Sequence, residues 1–527
     1  MGDLLVGVDV GTGSARAGVF TAGGQLLGRA EHPIAMRRCS SDLAEQDSDD
    51  IWQAVLAAVR AAIAMAEAPP EAIAAIGLDA TCSLVVRDAQ GAPLPVSPQG
   101  EARWDTIVWL DHRAMAEAEE CTATGDALLG HFGGVMSPEM QLPKLMWLKR
   151  HMPATWAAMG HAFDLVDFLT FKATGSTARS RSTLAAKWGW GGGPAATGWP
   201  RDLLDRVDLP DLIERGRLPD SPVPPGSDLG PLAVDVAQAL GLGGNVRVAA
   251  GLVDAHAGAL GVLGAHALAP AGLDRHLCLI AGTSNSILAL APDPRPRPGV
   301  WGPFAGAILP DVWLLEAGQS ATGAVLDHLI RWHRAGGEST PERHQAIAER
   351  ITALRTAEGV KFAARLHILP DFHGNRSPLA EPAALGVISG LGLDTDFDSL
   401  CRLYWRAAVA VALGVRQNLE ALAAAGFDTT TLLVGGGHAR NRLLLDLYAD
   451  ATGATVVESR APDAMLLGSA ILAAMAAGLY PSLAEAAAGM DQGGTARRPD
   501  PSVTAGFDRD YRILLEMQRQ RRVIEAM

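Results

Sequence analysis

The chain has 527 residues, 48% of them hydrophobic and 19% charged, which is too long for one typical hydrophobic core and too apolar for a disordered chain. Two large lobes are therefore expected. A formal net charge of −14 argues against nucleic acid or an anionic membrane as partner, because both reward clustered Lys and Arg, and leaves small molecules as the expected ligands.

The N-terminal residues run directly into a strand pattern, Leu4 to Val10 (LLVGVDV), without the basic region, apolar run and small-residue cleavage site of a secretory leader. A Gly/Thr/Ser turn follows, then a second alternating stretch folded back on itself at Ala22, Gly23 and Gly24, so the chain opens as a β-meander. Residues 48–67 predict an amphipathic helix ending before Pro69 and Pro70, and AIAAIGLDATCSLVV returns to strand. Pro/Gly-rich loops are expected around residues 189–231. VRVAAGLVDAHAGALGVLG then predicts a strand breaking at Val253 and Asp254 into a helix, and HLCLIAGTSNSILAL a strand, polar turn and strand. Gly11, Thr12, Gly13 and Ser14 have a counterpart in Gly282, Thr283, Ser284 and Asn285, which reads as a diverged internal repeat, one copy per lobe. TLLVGGG leads into a helix from Asn441, and a polar helix near residues 506–526 closes the sequence. The cysteines at 39, 82, 121, 278 and 401 are scattered and odd in number, the usage of reduced thiols. Apolar runs are broken before the roughly 20 residues a membrane span needs, so a soluble, cytoplasmic protein is expected.

Both Gly/Thr/Ser turns offer bare backbone amides and hydroxyls, the chemistry that holds phosphate. GTGSAR is not a dinucleotide fingerprint, since Arg16 stands where the third Gly belongs and a strand follows, and no Walker sequence occurs. Asp9, at the end of the first strand, is placed to hold Mg²⁺ directly or through water, the alternative being a turn cap. Gly435, Gly436 and Gly437 put side-chain-free backbone at a strand-to-helix corner where a flat adenine can approach, or make a simple tight turn.

Phosphoryl transfer to an alcohol asks for a carboxylate near the attacking hydroxyl. Asp254 is the candidate base, ending an apolar stretch at a buried strand-to-helix junction; an ordinary helix N-cap is the competing role. Polar residues in apolar surroundings mark where a neutral polyol could be hydrogen-bonded: Thr81, Cys82 and Ser83, Asp111 with His112 and Arg113, Lys187, and Glu316. His256, beside Ala and Gly, reads as structural.

Taken in order, VGVDVGTGSARAGVF, IGLDATCSLVV, IVWLDHRA, AGLVDAHAGALG, IAGTSNSILAL, LLEAGQSATG, LPDFHGNRSPLAEPAALGVISGL and LLVGGGHARNRLLLDLYADATG resemble the FGGY carbohydrate kinases over nearly the whole chain, from about Leu4 to about residue 480. The resemblance implies an α/β, actin-like (ribonuclease H-like) fold of two lobes, each a mixed sheet flanked by helices, closing over ATP and sugar. It divides the chain into an N-terminal lobe (1–265), a C-terminal lobe (266–485) and a helical tail (486–527). It implies that Asp254 is the catalytic base and that Asp9 serves Mg²⁺. Thr12, Gly13, Ser14 and Arg16 would line the first phosphate turn and Gly282 and Thr283 hold the terminal phosphate, while Gly323, Asp327, Gly437 and Asn441 match nucleotide-contacting positions. Lys187 and Glu316 match sugar-contacting positions of the ribulokinase branch, and PDFHGNRSP is similar to pentulose kinases that take D-ribulose. Cys82 and Ser83 replace the Met-His pair typical of xylulokinases, the substrate-arginine pattern of glycerol kinases is absent, and Gln141 stands where a family signature has Pro, Ser or Thr. D-Ribulose is the expected acceptor, ahead of L-ribulose, D-xylulose and ribitol, and a homodimer is the family's expectation. An actin-like ATPase that binds protein, or a sugar sensor, are the readings from other classes. The short polar tail and the lack of a helix-turn-helix before the first strand count against them.

Overall fold

The apolar run Leu4–Val10 forms a strand buried at every residue after Leu4, as its continuous hydrophobicity requires. It pairs antiparallel with Ser14–Thr21, which pairs antiparallel with Leu26–Pro33, giving the expected meander. The computed structural model describes residues 2–38, 40, 43–191 and 198–527. Cys39 and part of the Gly/Pro-rich stretch lie outside them; Cys82, Cys121, Cys278 and Cys401 are buried. Among the described residues no helix is long and apolar enough to cross a membrane.

The chain forms two units that interleave along the sequence. One comprises Met1–Asp274, Leu290–Leu315 and Arg460–Gly493; the other comprises Arg275–Ala289, Glu316–Ser459 and Gly494–Met527. In the first unit the sheet order is Leu26–Pro33, Ser14–Thr21, Leu4–Val10, Ile73–Ala80, Arg247–Ala249, Asp228–Pro231. The central pairings are parallel, and Asp228–Pro231 runs antiparallel at the edge. A short strand, Leu252–Val253, continues alongside Ile73–Ala80. The helix Ser48–Met65 covers one face, its start fixed by the Asp47 side chain accepting from the Asp49 and Asp50 amides. Ile51, Trp52, Val55 and Val59 of that helix pack with Val6, Val8 and Val10 of the strand.

The opposite partner of this sheet comes from far along the chain. The helix Ala464–Ala476 is apolar nearly all round and correspondingly buried, packing on Leu4–Val10 and Ile73–Ala80. Its approach is possible only without side chains at the contact, since a Cβ on Gly77 would lie 1.9 Å from the Ser469 carbonyl oxygen.

The second unit repeats the strand pattern: Trp313–Gln319, Asn285–Ala291, Leu277–Ala281, Thr431–Gly435, Thr455–Ser459 and Gly494–Arg497 lie side by side in that order. Again a central hairpin meets two parallel pairings and an antiparallel edge strand. The internal repeat read in the two Gly/Thr/Ser turns is thus a repeat of topology. The long helix Phe397–Ala423, capped by Asp396 accepting from the Ser399 amide, and the closing helix Thr504–Glu525 pack within this unit.

Candidate functional site

In the first unit three parallel strands end level with one another: Asp9 registers with Asp79, and both Val10 and Val253 with Ala80. The residues that follow, Gly11, Thr81 and Asp254, leave the sheet at one edge, the carboxyl end where α/β sheets place ligands. Asp9 is fully buried and faces Arg16 across the hairpin, with the guanidinium 2.8 Å from its carboxylate. Neither Asp9 oxygen accepts a well-formed hydrogen bond. Burial pushes the Asp9 carboxyl up to about 7 against the pull of Arg16, and the charges of Asp463 and Asp254 push the same way. Asp79 is raised well above the carboxylate range by burial and by Asp9, opposed by the Ser469 hydroxyl, which donates to it at 2.7 Å. Asp9 is therefore no turn cap. Its two buried oxygens, held only by the Arg16 ion pair and a side-chain contact with Asp79, suit a hard cation that keeps most of its ligands as water and phosphate. Among the described residues no group of three or more His, Cys, Asp or Glu forms a complete protein cage for a metal.

Asp79 and Asp463, which neighbour Asp9, were not among the residues the sequence singled out. The signal for Asp79 was available, because IGLDAT repeats the apolar-Asp pattern of VGVDVGT.

Asp254 is the first residue of the helix Asp254–Leu263; the cap position belongs to Val253, which makes no side-chain cap bond. The Asp254 carboxylate instead accepts from its neighbour's amide, Ala255, at 2.7 Å, and the residue is only half-buried. It lies near enough to raise Asp9, Asp79 and the Cys82 thiol. The Cys82 thiol is pushed up to about 12 chiefly by burial, with Lys187 opposing, so it is no nucleophile at neutral pH. Thr81 and Ser83 share a 3.2 Å hydroxyl contact. Lys187 ends the helix Arg181–Lys187 with its ammonium 4.6 Å from the Trp301 ring. Trp109, which the sequence gave no reason to single out, ties the two turns together: its amide donates to the Ser83 hydroxyl and its indole N–H to the Thr12 hydroxyl. The Gly13 carbonyl accepts from Ile34, and the Ser14 hydroxyl hydrogen-bonds Glu31. Gln141 donates to the Cys82 carbonyl and to Asp164. The position that departs from the family signature thus braces the Thr81–Ser83 turn.

Asp111 and Cys82 both act on the buried Lys144 ammonium. The buried Asp111 carboxylate accepts from the Ala44 amide and from the Arg113 side chain and amide, a satisfied structural network with Glu45. His256 is likewise structural, with Nδ1 2.8 Å from the Ser182 hydroxyl.

In the second unit the turns meet as backbone. The Gly323 amide donates to the Gly282 carbonyl, and the Thr322 and Ala324 amides to the Thr283 carbonyl. A Cβ on Gly323 would come within 2.5 Å of the Gly282 oxygen, and one on Gly436, at φ +86°, within 2.5 Å of the Ala281 oxygen. Gly437 begins a short turn that ends at Asn441, whose side chain caps the helix Arg442–Thr452. Asp327 accepts from His344 and from the Ser339 hydroxyl, His344 contacts the Tyr404 hydroxyl, and Tyr404 hydrogen-bonds Asn441, which links the two candidate polar positions by a network the sequence did not reveal. Glu316, also in this unit, accepts from the Ser286 hydroxyl at 3.1 Å.

Comparison with known proteins accounts for both halves. The N-terminal domain of the FGGY family of carbohydrate kinases matches residues 4–261 and its C-terminal domain residues 277–477. A human FGGY carbohydrate kinase domain-containing protein is 40% identical over 97% of this chain and 95% of its own length. A D-ribulokinase of Saccharomyces cerevisiae is 36% identical over 90% of this chain and 72% of its own. Among solved structures, a gluconate kinase from Lactobacillus acidophilus superposes with a TM-score of 0.81 at 19% identity, covering 98% of both chains. A xylulose kinase from Rhodospirillum rubrum gives 0.76 at 22%, covering 99% of this chain and 100% of its own. The fold is the two-lobed, actin-like one expected from the motifs, and the chain belongs to the FGGY family of carbohydrate kinases as an ATP-dependent sugar kinase.

Proposed function

We propose that this kinase phosphorylates D-ribulose at its terminal C5 hydroxyl, giving D-ribulose 5-phosphate. One observation carries the choice of acceptor: a D-ribulokinase is 36% identical to this chain, whereas ribulokinases of Staphylococcus reach 26%. The half-buried carboxylate of Asp254 at the strand edge supports its role as base. It accepts the hydroxyl proton as the new phosphorus–oxygen bond forms and the bond from the γ-phosphorus to the bridging oxygen breaks, releasing ADP, and the turn Thr81–Ser83 and Lys187 hold the remaining hydroxyls from the same unit. Glu316 takes a further sugar hydroxyl.

Thr12, Gly13, Ser14 and Arg16, and likewise Gly282 and Thr283, bind phosphate. Gly323, Asp327, Gly437 and Asn441 bind the nucleoside part. Asp9 would hold Mg²⁺, which, when bound, neutralises charge on the phosphates. Arg16, ion-paired to Asp9, keeps that carboxylate aimed at the turn.

A panel of D-ribulose, L-ribulose, D-xylulose and ribitol with coupled ADP detection tests the acceptor. D-Ribulose should show the highest kcat/KM, and a value no higher than that of L-ribulose or D-xylulose overturns the assignment.

A further inference from the structure

The segment PDFHGNRSP, singled out in the sequence, is a closed loop in the second unit. Asn375 and Glu381 exchange backbone hydrogen bonds at its base, and the Asn375 side chain donates to Asp371 at 3.0 Å and accepts from the Leu379 amide. At its tip Arg376 reaches the start of the Asn285–Ala291 strand, donating to the Asn285 carbonyl at 2.5 Å and to the Ser286 hydroxyl at 3.2 Å; Ser286 in turn donates to Glu316. The Arg376 guanidinium itself lies 3.9 Å from the Glu316 carboxylate.

The base of the loop is gripped from beyond the matched family domain, which ends at residue 477. Arg521 of the helix Thr504–Glu525, 4% exposed, pairs with Glu381 and, at 3.5 Å, with Asp371, and Arg522 adds a 2.5 Å bond to Glu381. The helix that carries them is anchored on Phe397–Ala423 by a buried Arg406–Asp510 ion pair at 2.6 Å and by reciprocal amide bonds between Gln417 and Gln518. A planar guanidinium bridging two carboxylates of one loop fixes orientation as well as position, which a lysine does not reproduce.

We propose that Arg521 is a positioning residue for acceptor recognition: through Asp371 and Glu381 it sets the loop so that Arg376 and Ser286 hold the Glu316 carboxylate in one orientation. The proposal rests on the reading of Glu316 as a sugar contact. A carboxylate held by a charged relay discriminates between acceptors that differ in hydroxyl configuration, because a misplaced hydroxyl leaves it unpaired.

The test uses the full-length enzyme and whichever sugar of the panel it phosphorylates best. Arg521→Lys and Glu381→Gln, the latter at a partly exposed side chain and therefore the safer variant for folding, are compared with Arg376→Lys. Each should raise the KM for the sugar about 10-fold or more and narrow the ratio of kcat/KM between the best and second-best acceptor, while the KM for ATP stays within about 2-fold. Equal rises in the sugar and ATP constants, or a lowered melting temperature with unchanged constants, would assign Arg521 a purely structural role and overturn the proposal. A wild-type enzyme whose best acceptor is not D-ribulose defeats the acceptor assignment alone, since the split between sugar and ATP constants is read on any accepted sugar.

Discussion

The two central hairpins make the most instructive comparison. Both present a Gly-Thr turn between antiparallel strands, and both have a parallel strand on the same side. Aligning Gly11 with Gly282 places Ile280 where the first unit has Asp9. The parallel partner at that register is Gly435, where the first unit has Asp79. One topology has therefore been made into two kinds of site. The first concentrates buried carboxylates and one arginine, the second offers peptide groups at distances that only glycine permits. A duplicated backbone fixes where a turn lies, and the side chains at two registered positions decide whether charge or backbone does the chemistry.

The sharpest way to break this contrast is Asp254→Asn. If chemistry resides in the carboxylates of the first unit, kcat should fall by about 10²–10⁴-fold with the sugar's Kd, measured calorimetrically, nearly unchanged; survival of activity would remove Asp254 from its role. Next in size is Gly436→Ala, where positive φ and the 2.5 Å approach to Ala281 force the backbone to shift. It should raise the KM for ATP by about 10-fold or more and cost about 1–3 kcal/mol of stability. Gly13→Ala, in the hairpin turn of the first unit, is the contrasting case: the added methyl meets nothing within 4 Å, and stability should stay within about 0.5 kcal/mol.

The smallest effects concern pH, and two buried groups, one in each unit, should respond with opposite sign. Burial raises Asp164 from 3.8 to about 7, helped by Asp167 and opposed by hydrogen bonds from Gln141 and Trp188. Between those values the native state holds a proton the unfolded chain has lost, so this group's contribution to stability fades as pH rises through about 7. Burial lowers His438, hydrogen-bonded to Tyr448, from 6.5 to about 4. The unfolded chain then binds the extra proton, and stability fades as pH falls from 6.5 towards 4. Each slope is at most about 1.4 kcal/mol per pH unit. Urea unfolding across pH 4–8 should show Asp164→Asn removing a loss of stability with rising pH between about 4 and 7, and His438→Gln removing an opposing gain between about 4 and 6.5, so the two variants should tilt the wild-type profile in opposite directions; unchanged slopes would mean that neither group titrates differently on folding.

Much of this was legible in the linear sequence. The strand Leu4–Val10 is observed with the predicted limits, the helix expected over 48–67 spans Ser48–Met65, and Asn441 stands at the predicted helix start. These calls rest on apolar periodicity, Gly/Pro punctuation and capping, all of which act within a few residues. Asp9 and Asp254 stood out because each is a charge closing an apolar run, and desolvation of such a charge demands a reason.

What the sequence alone could not decide is which distant residues share a register or a charge. Asp111, a sugar-contact candidate in the sequence, is tied by the fold to the Ala44 amide and, through Arg113, to Glu45, partners no local pattern announces. The helix Ala464–Ala476 is flanked in sequence by segments of the second unit yet belongs to the first and packs on its sheet, because Gly77 leaves room for its backbone. Arg521 shows no pattern as a sequence letter and acquires a role only opposite Asp371 and Glu381. Local propensity acts over one or two turns of chain, whereas ion pairs and close backbone approaches depend on positions hundreds of residues apart, which only the completed packing specifies.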